Sequence, residues 1–468
     1  MKDTTYKVRV WQIETYTGKK GNTYSVRWIV AGKRWRETFA NSTQADGFRS
    51  ELVTAQRQGE AFSLVTGRPV SWQRDEDVMR WYAFMLAYAD MKWPHVSPNH
   101  RRSIAEALTD ATEVLVHGGS SPPSREALRA ALREWAFSTR IRDKEPLPDE
   151  HAHAIRWLTN NTVFMHELTE AGSGPRLVRS VLTRISSKQD GTSAAANTAN
   201  RKRMVINNAM EYAQEINVLT ANPLKAVKWT RQRTAKSVNP AVVINSRQAK
   251  ALLAAVGEQG ERGRRLVAFF ALMYYAAMRP EEIIYLRRAN LVSLPDTGWG
   301  WARLTSAAPR SGSKWTDSGK SREERALKHR ADGDTRSVPL HPELVAILVA
   351  HLKEFGTGFD GRLFVGPRGG DLAEWAYYEV LAEARRRAFT AEEVASPLAE
   401  DPYTLRHAAV STWLSAGVNP AQVAEWAGHS VDVLLRVYAK CIAGQEHDAM
   451  RRIEDATKPP LPHGGGSS

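Results

Sequence analysis

The residues of this chain best suited to chemistry lie in its C-terminal half. Arg279 stands in Ala277-Met278-Arg279-Pro280-Glu281-Glu282, Arg406 in Tyr403-Thr404-Leu405-Arg406-His407, His429 in Ala427-Gly428-His429-Ser430 and Tyr438 in Arg436-Val437-Tyr438. His429 follows Arg406 by 23 positions, and Tyr438 follows His429 by nine. Such groups can move a phosphodiester without a metal. That reaction needs a nucleophile, fixed positive donors for the equatorial oxygens of the phosphorane, and an acid for the leaving oxygen. The Tyr438 phenol is a nucleophile that would hold the phosphoryl group covalently. The planar forks of Arg279 and Arg406 suit two-pronged contacts to anionic oxygens, and His429 would donate a further hydrogen bond. Taken singly, each arginine reads as a surface ion pair, and His429 and Tyr438 as satisfied core residues; only the joint spacing argues for a site.

Other signatures fall away. Gly319-Lys320-Ser321 looks like the end of a phosphate-binding loop, but Lys314 occupies the position that needs the first glycine, so no ATPase is implied. The chain has no His-Glu-x-x-His pattern, no Gly-x-Ser-x-Gly elbow and no His/Cys cluster at metal-ligand spacing, so neither a metal nor a cofactor is expected.

The order and spacing of the four motifs resemble the catalytic domain of tyrosine recombinases, specifically phage-type integrases. The resemblance implies that Tyr438 attacks a scissile phosphate to form a 3′-phosphotyrosyl link, with Arg279, Arg406 and His429 around that phosphate. It gives Glu282 an orienting role, although an acid merely favouring a helix N-terminus is the alternative. The family's catalytic lysine precedes a Val-Pro strand; Lys314, Lys320 and Lys328 are available, and Lys328, nearest that strand, is taken as general acid. The chain departs from the family at Tyr403, where a histidine is usual. A phenol can donate or accept a hydrogen bond there but is a poorer base near neutral pH. His407 matches a family position read as structural and stays outside the expected site. The implied function is a site-specific recombinase, an integrase of a phage or mobile element, acting on double-stranded DNA attachment sites as a homotetramer. A directionality factor and a DNA-bending host protein are further partners of such reactions. The rival readings are a catalytically silent DNA-binding regulator with the same fold and a type IB topoisomerase-like enzyme.

The elements that must position these residues are legible around them. Pro280, at a first helical position with Glu281 and Glu282 in the first turn, starts a helix and puts Arg279 at its junction. Glu261 to Met278 reads as a helix apolar on several faces, after one capped by Ser246. Strands are expected at Gly300–Thr305 and Thr335–Leu340, flanking a polar insertion, 306–334, whose basic residues could supply the catalytic lysine or equally be a solvated loop that orders only on DNA. A short helix is expected over Gln445–Thr457.

The rest of the chain divides by pattern. Residues 1–75 alternate as strands at Tyr6–Trp11, Tyr24–Val30 and Lys33–Phe39, followed by a helix over Gln44–Gln58. This segment holds 13 Lys and Arg against seven acids, a large share of the chain's net charge of +14. Its basic residues, interleaved with Trp11, Trp28 and Trp35, could enter a DNA groove, or the tryptophans could simply be a small core. Residues 76–230 read as helices, with Arg201-Lys202-Arg203 available to phosphates, and a linker spans about 230–239. The expected organisation is multidomain and mainly α with small β elements. A β-rich arm-type DNA-binding domain spans 1–75, a helical core-binding domain 76–230, an α+β catalytic domain 240–458 and a flexible tail 459–468.

Composition sets outer limits. The chain has 468 residues, of which 42% are hydrophobic, and a pI near 9.8. A basic excess favours polyanions, since each neutralised phosphate releases counterions. The lone Cys441 excludes an intrachain disulfide, and a reducing cytoplasmic setting fits best. The longest charge-free apolar run, Leu266–Met278, is shorter than the roughly 20 residues a bilayer span needs, and no signal peptide is read at the N-terminus, so no membrane is expected.

Overall fold

The computed structural model describes residues 4–18, 21–70, 72, 79–230, 237–328, 333–442, 450–451, 453–454 and 457. Contacts divide the chain into two compact units, one of residues 1–95 and 103–231 and the other of 96–102 and 232–468. Both are mainly helical with small sheets. The tail and most of the expected helix Gln445–Thr457 lie outside the described residues.

The first unit begins with strands β1 (Thr4–Thr5), β2 (Val8–Val10), β3 (Glu14–Gly18), β4 (Gly21–Val30) and β5 (Lys33–Phe39), then helix α1 (Ser42–Arg57) and strand β6 (Phe62–Ser63). Antiparallel β4 is the centre. One edge pairs with β5 along Tyr24–Val30, and β2 and β3 pair with β4 at Trp28–Val30 and Gly21–Ser25. The sheet thus has one strand more than expected, because Glu14–Gly18 pairs with β4. Val26, Trp28 and Val30 point to one face and are buried with Leu52 and Ala55 of α1. The Trp28 indole donates to the Gly67 carbonyl, and Gly67, at φ +71°, lies so close to Trp35 that a β-carbon would overlap the ring.

The two sheet faces therefore separate what the sequence interleaves. Trp28 and Trp35 are cross-strand partners on the core side, so these two aromatics are core and not part of a groove-entering face. The opposite face pairs Arg27 with Arg36 and Ile29 with both Arg34 and Arg9. Like charges directly opposite are unfavourable. Here Glu14 meets Arg27 at 2.9 Å and Ser25 Oγ accepts from Arg36, which relieves only part of the repulsion.

The helices that follow are α2 (Trp81–Lys92), α3 (Pro98–Thr112), whose residues 98–102 count with the second unit, α4 (Arg125–Ala131), α5 (Thr139–Lys144), α6 (Asp149–Asn161), α7 (Ser173–Ile185) and α8 (Ala196–Glu215). Asp110 and Glu113 anchor a buried ion network in which Asp110 meets Arg129 at 2.8 Å, Arg184 at 3.2 Å and Lys202 at 2.5 Å. Lys202 is thus held inside, and Arg203 lies over the Trp229 ring at 4.7 Å. Of the basic triplet expected to face phosphates, Arg201 alone is exposed, because the face of α8 carrying the other two turns toward the protein.

The second unit contains α9 (Ser246–Gly257), α10 (Gly260–Ala276), α11 (Pro280–Ile283), β7 (Leu291–Ser293), β8 (Gly300–Leu304), β9 (Arg336–Leu340), α12 (Pro342–Phe355), α13 (Glu374–Ala388), α14 (Ala391–Ala395), α15 (Tyr403–Ser415), α16 (Pro420–Ala427) and α17 (Val431–Ile442). Its sheet is antiparallel in the order β7-β8-β9. Helix α10 is buried along Phe269–Met273, as its apolar faces require, within a core shared with α9, α12 and α13. Asn245, one residue before the expected cap, caps α9 in a reciprocal pair with Gln248. Among the described residues no helix is long and apolar enough to cross a membrane.

The insertion 306–334 differs from a solvated loop. Its two limbs run antiparallel, pairing Ala307 with Arg325 and Arg310 with Arg322, and Trp315, Thr316 and Leu327 are buried. Arg322 is buried too, donating to the Ala308 carbonyl at 2.9 Å and to Glu374, at the start of α13, at 3.2 Å. A guanidinium that finds a carboxylate and a carbonyl inside the fold organises the excursion without DNA.

Candidate active site

The site is built where α10 ends. Ala277 takes a left-handed conformation, φ 48°, which is costly for a residue with a β-carbon. The chain turns there, and Pro280 starts α11 with Arg279 as its N-cap residue. Glu282 closes this turn by accepting from the Arg279 backbone N–H at 2.8 Å and from its guanidinium at 2.7 Å. The other side of the Arg279 fork donates to the Gly428 carbonyl at 2.7 Å.

Arg406, in the first turns of α15, is fully buried. Its guanidinium donates to the carbonyls of Ala277 and Ala427, the latter at 2.6 Å, and lies 2.8 Å from His429 Nε2. Since a guanidinium can only donate, Nε2 accepts, and the His429 proton sits on Nδ1. That Nδ1 is buried and has no hydrogen-bond partner, so the site holds an unused donor.

Sequence reading missed Arg336. It opens β9, is 1% exposed, and forms a two-pronged pair with Glu282 at 2.9 and 2.7 Å. A signal existed: strand alternation puts Arg336 on the inward face with Val338 and Leu340, and an inward arginine demands a buried acid. Glu282 is that acid, so beyond any helix-end effect it ties Arg279 to Arg336. Burial alone would raise its pKa, but Arg336 and then Arg279 hold the carboxyl far below the usual range. Gly428, at φ +67°, is required by the same crowding, for a β-carbon there would sit 2.2 Å from Arg336 Nη1 and 3.2 Å from Arg279 Nη1.

Tyr438 is brought to this cluster by α17. Its ring is fully buried among Ala277, Val410, Ala427 and Leu434, with its centroid 6.1 Å from that of His429. Its hydroxyl lies 2.7 Å from His407 Nδ1. His407, expected to be merely structural, thus touches the expected nucleophile. The cause is simple, since the face of α15 bearing His407 packs against α17. Tyr403, one turn earlier, sets its ring edge-on to His407 with centroids 5.1 Å apart and lies 5.7 Å from the Arg406 guanidinium carbon. Lys328 is exposed, directly after the buried Leu327, and among the described residues no contact joins it to the cluster. Its neighbours His329 and Arg330 lie outside the described residues. Among those described, no group of three His, Cys, Asp or Glu could hold a metal ion.

Both histidines are held neutral. Burial and then Arg406 bring His407 down to about 4; burial and then Arg406, Arg279 and Arg336 bring His429 down to about 3. Their unfolded forms titrate near pH 6.5, so below that the unfolded state takes up protons first. Stability complete above about pH 6.5 is therefore lost as pH falls toward 4 and 3. Calorimetry of the full chain should show the melting of the second unit falling across that window. A His407→Gln, His429→Gln double variant should flatten the dependence.

No family model matches the chain. Over 250 residues it is 26% identical to the tyrosine recombinase XerD of Ralstonia nicotianae, a match covering 52% of this chain and 68% of that protein. The chain is thus similar to a tyrosine recombinase. Among solved structures, the chain is similar to the Tn1549 transposon integrase in complex with transposon right end DNA, at 15% identity and TM-score 0.46, covering 70% of this chain and 99% of that one. It is also similar to the XerH site-specific recombinase bound to difH substrate, at 13% identity and TM-score 0.44, covering 76% and 97%. A further likeness is to the lambda integrase bound to DNA, at 11% identity and TM-score 0.41, covering 76% and 94%.

Proposed function

We propose that this recombinase is the integrase of a phage or other mobile element, cleaving and rejoining DNA attachment sites through a 3′-phosphotyrosyl intermediate. The observation that carries the reading is the meeting of Arg279 and Arg406 on the Ala427–His429 turn, where Arg279 donates to Gly428 and Arg406 to Ala427 and His429, with Tyr438 beside them. In the reaction the Tyr438 oxygen bonds to phosphorus and the bond to the 5′ oxygen breaks. Arg279 and Arg406 hold the non-bridging oxygens where charge builds up. The unpartnered Nδ1–H of His429 adds a donor. Lys328 protonates the leaving 5′ oxygen, and Tyr403 supplies a phenolic hydrogen bond at the edge of the site. Glu282 orients the guanidinium groups of Arg279 and Arg336. Attack by another 5′ hydroxyl reverses the step and joins new partners, so no ATP or metal is needed.

In this reading residues 1–75 bind arm-type DNA, 76–230 the core site, and 240–458 perform catalysis within a homotetramer. A directionality factor and a DNA-bending host protein complete the assembly. The crowded arginine face of the N-terminal sheet supports a polyanion partner, because strand register gathers Arg9, Arg27, Arg34 and Arg36 on it, with Arg27 paired to Glu14. An Arg27→Gln, Arg34→Gln, Arg36→Gln variant should bind duplex DNA with a log K against log salt slope shallower by up to about 2.7, at about 0.9 per phosphate contact. An unchanged slope, measured by fluorescence anisotropy, would remove that face from the interface.

The deciding experiment is covalent trapping on nicked suicide duplexes from a candidate attachment-site library. The full chain should give an adduct on denaturing gels, and Tyr438→Phe should give none. Tight DNA binding without an adduct on any duplex would leave a DNA-binding regulator instead.

A further inference from the structure

We infer that His407 is a catalytic residue, the acceptor of the phenolic proton when Tyr438 attacks the scissile phosphate; the inference rests on the recombinase reading of the site. It is carried by the 2.7 Å contact between the Tyr438 hydroxyl and His407 Nδ1. The groups facing His407 are Tyr403 and Arg406 on its own helix, Tyr438 on α17, His429 at the end of α16, and Asp401 before α15. One of these, Tyr438, brings an acidic proton to the imidazole.

A neutral imidazole has one ring nitrogen that accepts and one that donates. In the free protein His407 is held neutral by burial and by Arg406, and in its Nε2–H tautomer Nδ1 accepts the phenol O–H across the 2.7 Å contact. As the Tyr438 oxygen bonds to phosphorus, the O–H bond breaks and its proton passes to Nδ1. The 5′ oxygen leaves with a proton from the general acid, and charge and atoms balance. An imidazolium beside Arg406 is unfavourable in the empty site. A phosphate gaining negative charge against the same guanidinium groups offsets that repulsion, so His407 becomes a useful base once DNA is in place. The arrangement ties activation of the nucleophile to occupancy of the anion site.

The test is single-turnover adduct formation by the full chain on nicked suicide duplexes, carrying a sequence the protein selects from a randomised library, from pH 6.5 to 10. Wild type, His407→Ala, His407→Asn and Tyr438→Phe are compared. Asparagine can accept the hydrogen bond but cannot take the proton. Both His407 variants should bind the duplex as wild type does and form adduct about 10²–10⁴-fold more slowly near pH 7. The deficit should shrink toward pH 10, where a phenol ionises unaided. Full activity in either variant, or a deficit constant with pH, would overturn the inference while leaving Tyr438 as nucleophile. An adduct that survives in Tyr438→Phe, or none in wild type, would overturn the recombinase reading and the inference with it.

Discussion

Glu282→Gln is expected to destabilise the second unit by about 3–5 kcal/mol, the usual consequence of removing one partner from a buried ion pair. The side chain is 2% exposed and stands between Arg279 and Arg336, whose donors lie 2.7–2.9 Å from its oxygens. Glutamine keeps the shape but removes the charge, so two guanidinium groups, with Arg406 nearby, face each other in a medium that screens poorly. A glutamine amide must also point its N–H2 at groups that only donate. Urea unfolding of the full chain should show the transition of the second unit at lower denaturant with its slope unchanged. Between pH 5 and 8 the loss should not vary with pH through this group, because the wild-type carboxyl, depressed by its partners, stays ionised there. Its contribution is present above the ordinary carboxyl pKa and is lost as pH falls below it.

The second large effect is expected for Arg406→Lys, which should slow covalent adduct formation by about 10²–10³-fold, the range for losing one oxyanion donor. Arg406 joins Ala277, Ala427 and His429 from one planar group, and thereby ties the end of α10 to the end of α16. An ammonium is a point charge on a flexible stem and cannot reach three acceptors in one plane. A carbonyl left buried without a donor adds about 1–3 kcal/mol of destabilisation. Adduct formation under saturating duplex separates this loss from weaker DNA binding.

Parts of this architecture were readable because local chemistry is strong there. Pro280 with two following acids marks a helix start wherever it falls, and Asn245-Ser246-Arg247-Gln248 carries a reciprocal cap. The apolar run Leu266–Met278 had to be buried, and all of it but the half-buried Val267 and Tyr275 is. Strand β3 was not legible, because Glu14 to Thr17 are exposed and show no alternation; backbone pairing to β4 alone makes them a strand. The insertion misled for a related reason. Its arginines look solvated one by one, yet Arg322 finds Glu374, 52 residues away.

The sequence by itself determined the chemical inventory: two arginines, a histidine and a tyrosine at telling intervals, an acid three residues after Arg279, and a basic excess. Those features are local, set by residue type, order and helix-end preferences. Tertiary structure alone decided which of them meet. It placed Arg336 against Glu282 and His407 against Tyr438, separated Trp28 and Trp35 from the arginine face, and turned Lys202 inward. Each depends on which helix or strand face packs against another element. Such packing is a sum over contacts distant in sequence, where a buried charge must find its opposite and a buried hydroxyl its partner.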